Sequence, residues 1–96
     1  MKFAFIIMGP FAPQKDRASI RSGQAQLIGV SNIEEARSVA KELLTQSVDC
    51  IELCGAFGPE GAKEIIDATE NKIPVGYVTH LSCQDSLFEK VFGAHQ

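Results

Sequence analysis

A small α/β domain built on a mostly parallel sheet is the fold class that this sequence predicts. Segments of strand character (KFAFIIM, QAQLIGV, CIELC and PVGYVTH) alternate with segments whose apolar residues recur at helical spacing, and that alternation implies right-handed βαβ crossovers. The first segment is apolar at consecutive rather than alternate positions, the pattern of a strand buried on both faces. At 96 residues the chain holds one ordinary domain and not two. The expectation is a four-stranded, mostly parallel sheet with βαβ crossovers and three helices, flavodoxin-like or half-barrel-like, in a single domain covering 1–96.

Lys2 to Met8 reads as the central strand. Residues Gly9 to Gly23 carry Pro10, Pro13 and mixed charges without a clear period; a connection this long is either a functional flap or a disguised short helix. Gln24 to Val30 forms the next strand, placed at an edge by its two glutamines and Gly29. Ser31 and Glu34 make an S-x-x-E capping box, and Ile33, Ala36, Ala40, Leu43 and Leu44 continue it at helical spacing. Asp49 leads into Cys50–Cys54, a strand with residues 50, 52 and 54 on one face and 51 and 53 on the other. Gly55-Ala56-Phe57-Gly58 turns the chain into a second helix with Pro59 at its first position, where a missing N–H costs nothing. Its inner stripe is Ala62, Ile65, Ile66 and Thr69, and Asn71 stops it. Pro74 to His80 is the last strand. Ser82 and Asp85 form a second capping box, ahead of a helix with Leu87, Phe88, Val91 and Phe92 on one face and Gly93 at its end.

Composition bounds the function. Apolar residues make up 45% and charged residues 22%, values of a chain that folds rather than stays disordered. The net charge is −3 and only Lys15, Arg17 and Arg21 cluster as cations, so no phosphate-backbone footprint exists and nucleic acid is not an expected partner. Gly9-Pro10 interrupts the first apolar run too early for a secretory signal, and nothing approaches the roughly 20 apolar residues that span a bilayer. The three cysteines are an odd number. Cys50 and Cys54 lie on one strand, roughly 13 Å apart, whereas a disulfide needs Cα atoms within about 7 Å. Free thiols and a cytoplasmic location are expected.

In open parallel sheets ligands bind beyond the carboxyl ends of the strands, which brings Gly9, Ser31, Cys54-Gly55 and His80 to one edge. The ligand-binding candidates there are Cys54, Gly55, Phe57, Gly58 and Gly61. Their G-x-x-G-x-x-G spacing gives backbone access and a helix N-terminus suited to an anion. It is neither a dinucleotide nor a Walker fingerprint, so the cofactor stays undefined; the glycines equally suit a tight βα turn. Glu52 is a carboxylate amid Cys, Ile and Leu. If its strand is central it is buried, and burial without a cation raises a carboxyl toward neutral general acid–base duty; the alternative is an ion pair within the fold or at an interface. His80, at a strand end, is its expected neighbour and the second catalytic candidate. Cys54, His80 and Cys83 lack C-x-x-C spacing and a nearby second His, so no metal site is expected.

The runs KFAFIIMGPFAP, IGVSNIEEARSVAKELLTQSVDCIELCGAFGPEGAKEII and PVGYVTH resemble a family of short prokaryotic α/β proteins catalogued as a domain of unknown function. The resemblance spans nearly the whole chain and implies its length without assigning catalytic residues. VDCIELCGAFGPEGA is more loosely similar to one βα unit of (β/α)8-barrel aldolases and epimerases, a fold-level analogy. Two functional expectations follow from the residues. One is binding of a small anionic metabolite at the carboxyl edge, with Glu52 and His80 as the candidates for turnover. The other is a non-catalytic oligomeric or protein-interaction module. Three short helices can hardly cover both faces of a parallel sheet, so a homo-oligomer is expected.

Overall fold

The computed structural model describes residues 1–93. The chain runs through β1 (Phe3–Met8), β2 (Arg17–Ile20), β3 (Ala25–Val30), α1 (Ile33–Thr45), β4 (Cys50–Leu53), α2 (Gly58–Ala68) and β5 (Val75–Tyr77). A single 3-10 turn (Ser82–Gln84) then leads into α3 (Asp85–Phe92). One five-stranded sheet forms, in the order β2-β3-β1-β4-β5. β1 lies at its centre, parallel to β3 and β4, and β5 is parallel to β4.

The sheet thus has five strands, not four. The added strand is β2, from the segment read as a flap or a short helix; it pairs antiparallel with β3, Ile20 opposite Ala25 and Arg17 opposite Ile28. Three consecutive residues in the left-handed region, Arg21 (φ 49°), Ser22 (φ 56°) and Gly23 (φ 93°), make the turn between them. β3 is consequently an interior strand rather than an edge.

Both helical crossovers, β3 to β4 through α1 and β4 to β5 through α2, step along the sheet in the same direction. Right-handed crossovers that step the same way leave their helices on one face. α1 and α2 accordingly pack side by side. Between them and the sheet lies the core: Ile6 and Ile28 from β1 and β3, Ile51 and Leu53 from β4, Leu43 from α1 and Ile65 from α2 are fully buried. Arg37 ties the helices together from outside, donating to the Glu64 carbonyl (2.9 Å), the Glu64 carboxylate (3.0 Å) and the Asp67 carboxylate (2.9 Å). Arg17 ties β2 to α1 through Glu42 at 2.9 Å.

The helix starts differ from the sequence reading by local competition. The N-cap of α1 is Asn32, whose Oδ1 accepts from the Glu35 N–H at 2.8 Å. Glu35, not Glu34, reaches back to accept from the Ser31 N–H and hydroxyl, each at 2.7 Å. The capping box therefore sits one residue later than Ser31/Glu34. The Ser82/Asp85 box does not form: Ser82 lies in the 3-10 turn, and α3 starts at Asp85 with no side-chain cap. Asn71 does stop α2, with Glu70 (φ 58°) and Asn71 (φ 57°) in the left-handed region.

Among the described residues no helix covers the other face of the sheet. Its strand residues are Phe3, Phe5 and Ile7 of β1, Ala18 and Ile20 of β2, Ala25, Leu27 and Gly29 of β3, Cys50 and Glu52 of β4 and Gly76 of β5, which the register aligns. Phe3 is 45% exposed, Leu27 46% and Ile20 68%. Phe11 covers one corner: a Cβ at Gly29 would stand 2.7 Å from Phe11 Cβ, so only glycine leaves room for it. Among the described elements α3 packs chiefly against the 3-10 turn. Its apolar face is bare, with Leu87 53%, Phe88 40%, Val91 57% and Phe92 59% exposed.

Candidate functional site

Glu52 stands on β4, an interior strand, but on the face without helices, so it is exposed rather than buried. Its carboxylate lies across β5 over Gly76, where a Cβ would come within 2.9 Å of Glu52 Oε2. The glycine in VGY makes room for it. The Cys50 thiol donates to Glu52 Oε1 at 3.7 Å. Burial pushes that thiol upward first, and the Glu52 charge and hydrogen bond push it further in the same direction. Cys50 is therefore a protonated, weakly nucleophilic thiol at neutral pH.

His80 does not join Glu52. Its Nε2 pairs with Asp85 Oδ1 at 2.7 Å. Its ring stacks on Phe88 with centroids 3.9 Å apart and planes 5° from parallel. Both partners belong to α3, so His80 positions that helix; the expected Glu52–His80 neighbourhood is absent among the polar contacts of the described residues. Asp85, read as a helix cap, is instead held by this imidazole.

At the carboxyl edge, the loop candidates fall into separate roles. Cys54 Sγ accepts from the Met8 N–H at 3.3 Å, which joins the ends of β4 and β1. Phe57 is buried, and a Cβ at Gly61 would stand 2.9 Å from Phe57 Cβ, so Gly61 serves close packing of the helix start. Gly58 occupies the left-handed region at φ 59°, and a Cβ at Gly55 would lie 3.4 Å from the Val78 carbonyl. The turn itself explains Gly58 by its backbone and Gly61 by its packing, while at Gly55 a side chain would make only ordinary contact. α2 begins with no side-chain cap, which leaves its first N–H groups without an intrahelical partner.

Beside this turn a groove of about 810 Å³ opens between α1 and α2, within the size range of small-molecule sites. Arg37 and Lys41 line it together with Glu34, Glu60 and Glu64. Carboxylates outnumber cations there, and Arg37 is committed to α2, its guanidinium held more firmly charged by the Asp67 hydrogen bond above all. Lys41 makes no ion pair among the described residues. Sequence reasoning singled out neither Arg37 nor the groove, because side chains on separate helices meet only once both crossovers lie on one face. No three His, Cys, Asp or Glu side chains among the described residues converge as a metal centre. None of the described helices is long and apolar enough to cross a membrane.

Comparison with known proteins gives one relationship. No curated protein and no solved structure matches the chain. A family model matches residues 1–93, and the chain belongs to that family, a family of unknown function designated DUF6506.

Proposed function

We propose that this chain is a docking module that assembles with further copies of itself through the open face of its sheet. The observation that carries this reading is the continuous apolar face made by Phe3, Phe5, Ile7, Ile20 and Leu27, on which no helix of the described residues lies. With strands about 4.8 Å apart and about 3.3 Å of rise per residue, such a face spans roughly 20 Å in each direction. That places it at the upper end of apolar patches on monomers, where interaction sites are found. The four parallel strands, taken alone, follow the order that opens a flavodoxin-like sheet. The difference explains the bare face: where such a sheet joins its first two strands through a helix, this chain joins β1 to β3 through the strand β2. Three free cysteines suit a reducing, cytoplasmic setting. Sedimentation velocity over a dilution series tests the reading: the wild type is expected to associate, and Leu27→Asp to sediment as a monomer with unchanged circular dichroism. A wild type that stays monomeric at every concentration refutes it.

A second reading, a small anionic metabolite at the carboxyl edge, is favoured by the uncapped start of α2 facing the groove. Glu34, Glu60 and Glu64 oppose it electrostatically. Millimolar inorganic phosphate is the test: amide shifts confined to Gly58 and Glu60 support the reading, and unchanged spectra remove it.

A further inference from the structure

The structure contains two unpartnered apolar surfaces, and they are of different kinds: a sheet face and a helix. We infer that each chain lends its α3 to a second copy, the helix lying across the open face of the partner's sheet while the partner's helix does the same in return. This rests on the reading of the open face as a self-docking surface and adds what occupies it.

The helix is built to leave its own domain. His80 holds Asp85 by the 2.7 Å hydrogen bond and stacks on Phe88, which fixes the first turn of α3 to the segment following β5. Held so, α3 shows no extensive packing on a strand among the described residues, and the molecule is elongated, 39 Å long against 27 and 25 Å. Leu87, Phe88, Val91 and Phe92 nevertheless form a single stripe at i, i+1, i+4 and i+5, the pattern of a helix that faces an apolar layer. An eight-residue helix of this kind is too short to persist in water unaided.

Size and charge match the second copy. α3 is about 12 Å long and fits within the breadth of the five-stranded face. From the exposures of its four apolar residues and of Phe3, Ile20, Leu27 and Val78, a reciprocal exchange that covers all eight fully buries up to roughly 800 Å² per protomer, the share of a standard stable interface. Each protomer supplies one helix and one sheet, so the contact closes with two-fold symmetry. The strand residues of the open face include one carboxylate, Glu52, and the apolar stripe of α3 is flanked by Lys90 on the Leu87 side and by Glu89 on the Phe92 side, so charge selects the helix orientation that sets Lys90 over Glu52. In the assembly the carboxylate gains a cation as it loses water.

The test uses the full chain and two substitutions on different surfaces. Leu27→Asp spoils the sheet face and Leu87→Asp spoils the helix stripe; both side chains are half exposed, and circular dichroism checks that each variant folds. Should Leu27→Asp unfold, Ile20→Asp on the same face replaces it. Light scattering coupled to gel filtration at micromolar concentration is expected to give twice the chain mass of 10.4 kDa for the wild type and the single mass for either variant. An equimolar mixture of the variants keeps one intact helix on one intact sheet, so over a concentration series it is expected to associate more strongly than either variant alone and more weakly than the wild type. Dimers that survive Leu87→Asp but not Leu27→Asp overturn the exchange while leaving self-docking through the face intact. A monomeric wild type overturns both, since the helix then covers its own sheet or the face awaits another protein. A mixture that stays monomeric also overturns the exchange.

Discussion

Replacing Gly29 by alanine tests how the uncovered face is anchored at its one protected corner. The new Cβ would stand 2.7 Å from Phe11 Cβ, 2.8 Å from Cγ and 3.1 Å from Cδ2, where carbon atoms ordinarily rest about 3.5–4.0 Å apart. The near atoms are the root of the side chain, so a rotamer change cannot relieve the clash and the backbone at Phe11 must retreat by about 1 Å. The Gly29 N–H donates to the Asp16 carbonyl at 2.8 Å, so the same movement strains the approach to β2. Overpacking of this kind costs about 1–3 kcal/mol, while alanine in place of glycine within a strand returns about 0.5–1 kcal/mol. The balance is a loss of about 1–2 kcal/mol, or roughly 5–15 °C in Tm for a domain of this size. Urea and thermal melts followed by circular dichroism at one fixed protein concentration provide the assay, since assembly makes Tm concentration-dependent. Phe11→Gly, which removes the Cβ along with the ring, should make Gly29→Ala harmless, giving a coupling of about 1 kcal/mol or more in the double-mutant cycle. If Gly29→Ala is neutral or stabilising on its own, Phe11 does not seat on β3 in the way described.

Three other expectations follow from particular residues. In a Leu87→Asp background, where the open face is free, Glu52→Gln should speed alkylation of Cys50 relative to Cys83 at mildly alkaline pH, because removing the carboxylate lowers a thiol that burial and Glu52 both raise; an unchanged ratio breaks the Cys50–Glu52 link. The protonated Cys50 favours the fold below the ordinary thiol range, and that contribution fades as pH rises through its raised value. Glu35 is held below the usual carboxylate range by the Ser31 N–H first and its hydroxyl second. Its stabilisation is therefore present above that range and lost as pH falls through the lowered value, so the Tm deficit of Glu35→Gln at neutral pH should close in acid, and a pH-independent deficit refutes the assignment. Arg37→Met should lower Tm at low ionic strength and less at high salt, as the clamp on Glu64 and Asp67 is screened; a deficit unaffected by salt assigns the loss to packing instead.

The parts of the fold legible in the sequence are those set by period. The strands Phe3–Met8, Ala25–Val30 and Cys50–Leu53 lie where the runs placed them, only Val75–Tyr77 of the Pro74–His80 run is strand, and α1 and α2 bury Ala36, Ala40, Leu43, Ala62 and Ile65 where the helical spacing placed them. β2 escaped because Arg17-Ala18-Ser19-Ile20 alternates over only four residues amid prolines and charges, too short a run to separate from a loop. That one omission also misplaced Glu52. Its strand is interior, as expected, but burial belongs to a face, and the connection that would have carried a helix over that face runs along the sheet edge instead. Two glycines held the missing information: Gly76 opposite Glu52 and Gly29 beneath Phe11 each mark a side chain lying flat on a neighbouring strand. The first capping box was misplaced through near-degeneracy, since Ser31-Asn32-Ile33-Glu34-Glu35 offers two frames of equivalent capping residues and the Asn32/Glu35 frame is the one that forms.

The two edges of the sheet limit how such an apolar molecule can aggregate. β5 offers three residues, Val75–Tyr77, too few to template a long ladder. At the other border β2 is four residues long, opens on Arg17 and ends in three residues of left-handed backbone that another strand cannot follow. Short, charged, abruptly terminated borders are how soluble β proteins avoid growing by strand addition. Strand addition at the borders is thereby disfavoured, and in the proposed reciprocal exchange association runs through the face alone, where a second molecule would satisfy the first. The chain can carry a large bare apolar surface without the hazard of fibres, because its backbone hydrogen bonding is closed to newcomers where its side chains are open.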